Sequence, residues 1–382
     1  MNVKKYLSNK NFKNIMSAIM ITIFSCVVGY AVRNVYSAID NYYISLVVNR
    51  LFDDNNYCCF LHPFLCYIMG IVSDLLPMAD AFVVCTSAMI FASVFWLSYI
   101  SLTHTESLFK KIVMCMFVIF CSLKLDIWNT NYTVMAAFLV MCGIITLFVT
   151  LHGEKKISYI VIGTLLVGLG TMLRFQGAAL FIPFFALEAV VCIVEQKKEI
   201  KSFVKKFVPV FVPCIALIIV LLISMIAVKN SDKYAESVLY DEARVTVEDY
   251  PMKPWDEVAD KLPGVTESEY SAALGWRLAD TDIIDAEFLS EIAEVGSAKK
   301  ENMSISGAGR AISNVISAIL RDSVLLLMTC IIVLLVVQIF ICGDSLIRKI
   351  ESIMACMGAM IIILYFDMIG RAPARVMSSV FL

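Results

Sequence analysis

The chain has 382 residues, of which 60% are hydrophobic and 17% charged, with a formal net charge of -2 and a mean hydropathy of +0.82. So much apolar surface cannot be covered by the polar side chains of a soluble domain this size, which excludes a soluble globular enzyme. No alternating strand pattern of a membrane barrel is present, so helices must satisfy the backbone in lipid. The expected class is all-α, a multi-pass transmembrane helical bundle.

The first fourteen residues are basic (Lys4, Lys5, Lys10, Lys13) and precede an apolar stretch at 15–32. That stretch is long and has no small-residue cleavage site before Arg33, so it reads as an uncleaved first helix rather than a signal peptide. A polar, aromatic-rich loop at 33–78 follows, carrying Asp40-Asn41-Tyr42-Tyr43 and His62-Pro63-Phe64-Leu65. Further spans are expected at 79–102, 111–124, 132–151, 157–173, 176–194 and 207–228. The last two are expected at 323–342 and 352–369. This makes nine in all, several of them long enough for a hydrocarbon core of about 30 Å.

The segment 59–76 is apolar but holds His62, Pro63, Ser73 and Asp74. Treating it as an amphipathic surface helix puts the lysines at 4–13, 110–111, 155–156 and 197–206, with Arg348-Lys349, on one side of the membrane. The positive-inside rule makes that side cytoplasmic, with the amino terminus. The loop 33–78, the turn at 124–131, Arg174 and the insert 229–321 then lie outside. That insert carries 18 acidic and 10 basic side chains, and its Thr266-Glu267-Ser268-Glu269 and Asp285-Ala286-Glu287-Phe288 runs read as helix starts. Its aromatics either fill a small core or cap the bundle. The division is therefore 1–228 as a membrane bundle with the loop 33–78, 229–321 as an extracytoplasmic insert, and 322–382 as the last two spans and an outer tail. The ending after Arg371 and Arg375 is abrupt, as if another span should follow.

Chemistry is sought first at Asp40, since a carboxylate at the mouth of a membrane bundle is costly and usually functional. It reads either as a helix cap or as a general base near the interface. His62-Pro63 reads either as a simple helix start or as the head of a helix lying beside a lipid-borne substrate. The turn Lys124–Tyr132 adds Asp126 at the same depth, with Trp128 and Tyr132 as an alternative aromatic belt. Asn131-Tyr132-Thr133 also matches a glycosylation sequon. Arg174 with Gln176, Arg244, Arg371 and Arg375 supply cations, which either snorkel or grip phosphate oxygens. The 13 cysteines show no metal-ligand spacing and read as small buried hydrophobes. No metal and no cofactor are expected, and no basic aromatic patch points to nucleic acid.

These residues together resemble the polytopic GT-C-type glycosyltransferases, and more narrowly an uncharacterised bacterial branch of them. The positions carrying the resemblance are Asp40-Asn41-Tyr42, Asn131-Tyr132-Thr133, Arg174-Phe175-Gln176, and Arg244 with Asp249-Tyr250-Pro251. The pattern departs in having Asn41 where a second acid is usual, and in lacking further spans after Arg375. The resemblance implies a cell-envelope enzyme that moves a sugar from a polyprenyl-phosphate donor to a glycan or lipid acceptor on the outer face. Asp40 would be the base and Asp126 its helper. Tyr42, His62, Asn131 and Gln176 would contact substrate beside membrane lipid, and Arg174, Arg244, Arg371 and Arg375 would supply positive charge. Some relatives use a divalent cation. A transporter or flippase for a lipid-linked saccharide and a non-catalytic membrane subunit are the competing readings.

Overall fold

A computed structural model describes residues 10–32, 39–51, 58–105, 107–124, 131–153, 156–195, 200–275, 284–298, 305–342, 345–369, 377, 379 and 380. The chain is an all-α, multi-pass membrane protein. Helices α1 (Lys10–Val32), α2 (Ile39–Val48), α3 (Pro63–Leu75), α4 (Ala81–His104), α5 (Leu108–Lys124), α6 (Tyr132–His152), α7 (Ile157–Leu173), α8 (Phe175–Glu195) and α9 (Ile200–Lys229) come first. Each of the nine expected spans coincides with a helix. Among the described residues, six helices are long and apolar enough to cross a membrane, and a bent pair near the carboxyl end would make seven. The shortfall lies partly in α5 and α7, which have 17 residues each, about 26 Å of helix. Helix α3 has 13 residues, about 20 Å, shorter than the hydrocarbon thickness.

The chain divides into two compact units, one of residues 1–224, 342–352 and 381–382, the other of residues 225–341 and 353–380. In the first unit α6 is the innermost helix, buried along nearly its whole length from Tyr132 to Leu151. It packs closely on α7 because glycines face backbone: a Cβ on Gly143 would stand 2.6 Å from the Gly163 carbonyl oxygen. In lipid, where apolar surface gains nothing by leaving its solvent, such close backbone approach drives association. The Trp96 indole donates to the Thr146 hydroxyl at 3.0 Å, tying α4 to α6. Phe148, Phe185, Phe203, Phe207 and Phe211 form an aromatic cluster at the His152 end of α6, with Phe207 and Phe211 centroids 4.5 Å apart.

Helix α2 is fixed to the start of α4 through Asp80, the α4 N-cap. Its carboxylate accepts from the Phe82 amide at 2.9 Å, the Ser45 hydroxyl and the Asn49 amide at 3.2 Å. Asn49 in turn accepts from the Ala81 amide at 3.0 Å. Arg50, in the left-handed region at φ 55°, pairs with Asp74 at 3.2 Å.

The second unit contains a small helical body of α10 (Ala235–Asp249), α11 (Trp255–Val258), α12 (Glu267–Leu274) and α13 (Ala286–Gly296). Val247, Val258, Leu262, Tyr270, Leu289 and Ile292 form its core, with Tyr240, Trp255 and Phe288 packed around it. Four of the insert's aromatics, Tyr240, Trp255, Tyr270 and Phe288, thus fill or line a core of the insert's own; Trp276 lies outside the described residues. Both expected helix starts hold: Thr266 and Glu269 close a capping box, and Asp285 accepts from the Phe288 amide at 2.8 Å. Helices α14 (Ile305–Arg321), α15 (Ser323–Cys342) and α16 (Leu346–Met368) follow, and α14 and α15 meet in a 98° bend.

Candidate functional site

Asp40 stands in the first turn of α2 and is buried, with 6% of its surface exposed. Its Oδ2 accepts a hydrogen bond from the Tyr132 hydroxyl at 3.3 Å. That same phenol oxygen accepts from Arg174 Nη1 at 2.6 Å, and Nη1 also donates to the Thr133 hydroxyl at 2.7 Å. The guanidinium lies over the Tyr132 ring, 4.9 Å from its centroid. A carboxylate and a guanidinium, separated by 134 positions in the sequence, are therefore bridged by one tyrosine.

Each member is placed by its element. Arg174 is the residue between α7 and α8; its backbone is extended at φ -161°, and its amide donates to the Gly170 carbonyl at 3.0 Å. Tyr132 and Thr133 open α6, capped by Asn131, whose side-chain oxygen accepts from the Val134 amide at 3.5 Å. The Tyr132 ring packs on Phe60 at 5.7 Å, and Phe60 stands edge-on to Tyr43 at 5.8 Å. All three side chains of the sequon-like triplet thus have structural tasks as cap, bridge and anchor.

His62 is the α3 N-cap and is buried. Its Nδ1 accepts from the Phe64 amide at 3.1 Å, so Nδ1 carries no proton and Nε2 is the donor to the Leu221 carbonyl at 3.1 Å. Ser224 Oγ lies 2.9 Å from Nε2. The His62 amide donates to the Met172 carbonyl at 2.8 Å, two residues before Arg174. Burial lowers the imidazole's pKa below its usual value, partly offset by the bond to Leu221.

The other expected residues divide sharply. Tyr42 and Gln176 are exposed, and Asn41 is fully buried. Arg244 belongs to the second unit, where it pairs with Asp241 and Glu248, both at 2.7 Å; there it neutralises the insert's own acids. Asp126, Arg371 and Arg375 lie outside the described residues. Thr133 enters the sequence reading only within the Asn131-Tyr132-Thr133 triplet, and Asp80 not at all, although an aspartate directly before an apolar run is a helix-start signal.

A second charged group lies at the opposite end of α6, about 30 Å from Tyr132 by helical rise. Arg348 makes a two-pronged contact with Glu195, at 2.9 and 2.7 Å. Its Nη1 also reaches Glu188 at 3.0 and 2.8 Å and Glu351 at 2.9 Å. Glu188 and Arg348 line a cavity of about 530 Å³ with His152, Phe148, Phe184 and Phe185. Neither Asp40, Tyr132 nor Arg174 lines that cavity. Against family models, curated proteins and solved structures, the chain matches none.

Proposed function

We propose that the protein is a membrane glycosyltransferase of the GT-C type, taking a sugar from a polyprenyl-phosphate donor to an acceptor hydroxyl on the outer face. The observation that supports it is the Asp40–Tyr132–Arg174 bridge. It brings together, from three separate segments at one end of α6, a carboxylate and a guanidinium of the kinds that such a transfer would use as base and cation. Asp40 would take the acceptor's hydroxyl proton, and the resulting oxygen would attack the anomeric carbon. The carbon–phosphate-oxygen bond would break with inversion, leaving polyprenyl phosphate. Arg174 spends Nη1 on Tyr132 and Thr133. Its Nε–Nη2 edge is the one suited to two parallel bonds to phosphate oxygens, which would stabilise charge on the leaving group. The lysine distribution supports an inward amino terminus and therefore an outward bridge.

The test is transfer from polyprenyl-phosphate sugars by the purified full chain. Asp40→Asn should lower turnover by about 10²–10⁴-fold, the usual worth of a general base. Equal turnover by the two proteins removes Asp40 as the base. A transporter of a lipid-linked saccharide is the second reading, favoured by the Glu188–Arg348 group lining a cavity between helices. It requires movement of the saccharide lipid across vesicles without transfer.

A further inference from the structure

His152, Glu188 and Cys192 present an imidazole nitrogen, a carboxylate oxygen and a thiol sulfur that all lie within 4.8 Å of one another. Cys192 Sγ is 3.3 Å from Glu188 Oε1 and 3.7 Å from His152 Nε2. Around a tetrahedral zinc ion, with bonds of about 2.0–2.3 Å, neighbouring ligand atoms stand about 3.3–3.6 Å apart. Two of the three edges are therefore already close to that size. We infer that these three residues form a zinc site at the His152 end of α6, independent of the sugar-transfer reading.

The surroundings are those of a metal site rather than of a chance cluster. His152 Nδ1 is 2.9 Å from the Phe148 carbonyl, a bond in which Nδ1 carries the proton and Nε2 keeps the lone pair that faces Cys192. An imidazole held in this way by a second partner is the usual arrangement of a ligating histidine. Glu188 is oriented likewise: Arg348 Nη1 bonds both carboxylate oxygens, Oε2 at 2.8 Å and Oε1 at 3.0 Å, and Oε1 also accepts from the Cys192 thiol at 3.3 Å. Arg348 faces three carboxylates, Glu188, Glu195 and Glu351, so the group keeps negative charge that, with that of the thiolate, a divalent ion offsets; nitrogen with thiolate suits zinc better than magnesium or calcium. Glu188 and Cys192 stand four residues apart on α8, one helical turn, and His152 arrives from the end of α6. On binding, the Cys192 thiol proton leaves to solvent and the sulfur takes the metal in its place. Three protein ligands leave a fourth position for water or a small ligand, and His152 and Glu188 both line the 530 Å³ cavity.

The test uses the purified full chain loaded with zinc or cobalt(II) and dialysed. One metal per chain is expected, with the near-ultraviolet charge-transfer band of a cobalt–thiolate bond. Cys192→Ser should lose that band, and His152→Asn should lose the retained metal. Absence of the band, or its survival in Cys192→Ser through another of the cysteines, overturns the site; so does undiminished metal in His152→Asn. X-ray absorption on the zinc-loaded wild type decides the matter even where a variant does not fold. One sulfur with nitrogen and oxygen neighbours supports the site, and any other sulfur count sinks it.

Discussion

Arg174 and Tyr132 engage one another twice: Nη1 donates to the phenol oxygen at 2.6 Å while the guanidinium carbon lies 4.9 Å from the ring centroid. One ring thereby carries both the polar bridge to Asp40 and the apolar packing on Phe60. Tyr132→Phe keeps the packing and removes the bridge. It takes one hydrogen bond from a buried carboxylate and one from a half-buried cation, at a cost of about 1–3 kcal/mol. Thermal unfolding in detergent should show that loss, and Arg174→Lys should lose the stacking and the fork geometry as well.

Gly143 is a packing requirement. Its added Cβ would meet Gly163 O at 2.6 Å and Val167 N at 2.9 Å, both backbone atoms that cannot turn aside. Gly143→Ala should therefore destabilise by about 1–3 kcal/mol through separation of α6 and α7. Gly309 on α14 has open space around its Cβ position, and Gly309→Ala should stabilise by about 0.5–1 kcal/mol. Unfolding temperatures of opposite sign for the two variants are the expected result.

His62 makes the fold sensitive to acid. Burial depresses its pKa below 6.5, so the unfolded chain takes up the proton first as pH falls. The stabilising share of the neutral ring is complete above about pH 6.5 and is lost progressively towards the lower folded-state pKa. His62→Asn retains a capping side chain but cannot titrate. Its unfolding temperature should fall less than the wild type's between pH 7 and pH 5.

Asp80 is a joint between helices. Asp80→Ala removes the α4 cap and takes one hydrogen bond each from Ser45 and Asn49, at a cost of about 0.5–2 kcal/mol for the cap alone. Amide exchange should accelerate across Ile39–Val48 while the interior of α6 keeps its protection.

In the insert, Glu269 accepts from the Thr266 amide at 2.7 Å, and that bond holds its carboxyl below the usual range. The contribution is present above the unfolded pKa near 4.5 and fades as pH falls through the lower folded value. Thr266→Ala should cost about 0.5–2 kcal/mol. Protection factors at 266–275 in the full chain, taken against the intrinsic exchange rate at each pH, should fall in that variant and should fall in the wild type below pH 4.

Apolar content alone determined that this chain would be helical and cross a membrane repeatedly, because lipid leaves backbone groups no partner but their own helix. Runs such as 132–151 marked Tyr132–His152 to within a residue. The start of α9 was placed at 207 instead of Ile200, since hydrogen bonding continues through Lys201, Lys205 and Lys206 where hydropathy does not. Asp40 and Arg174 were legible as candidates because charge near a span is costly. Their connection through Tyr132 was not, for helical periodicity says which face a residue occupies but not which distant helix it meets. Tertiary packing alone decided the rest. It joined Asp80 to Ser45, and brought His152 to Cys192 and Arg348 to Glu188. Those partners lie 35 to 160 positions apart along the chain, a separation that only close approach of helix backbones could close.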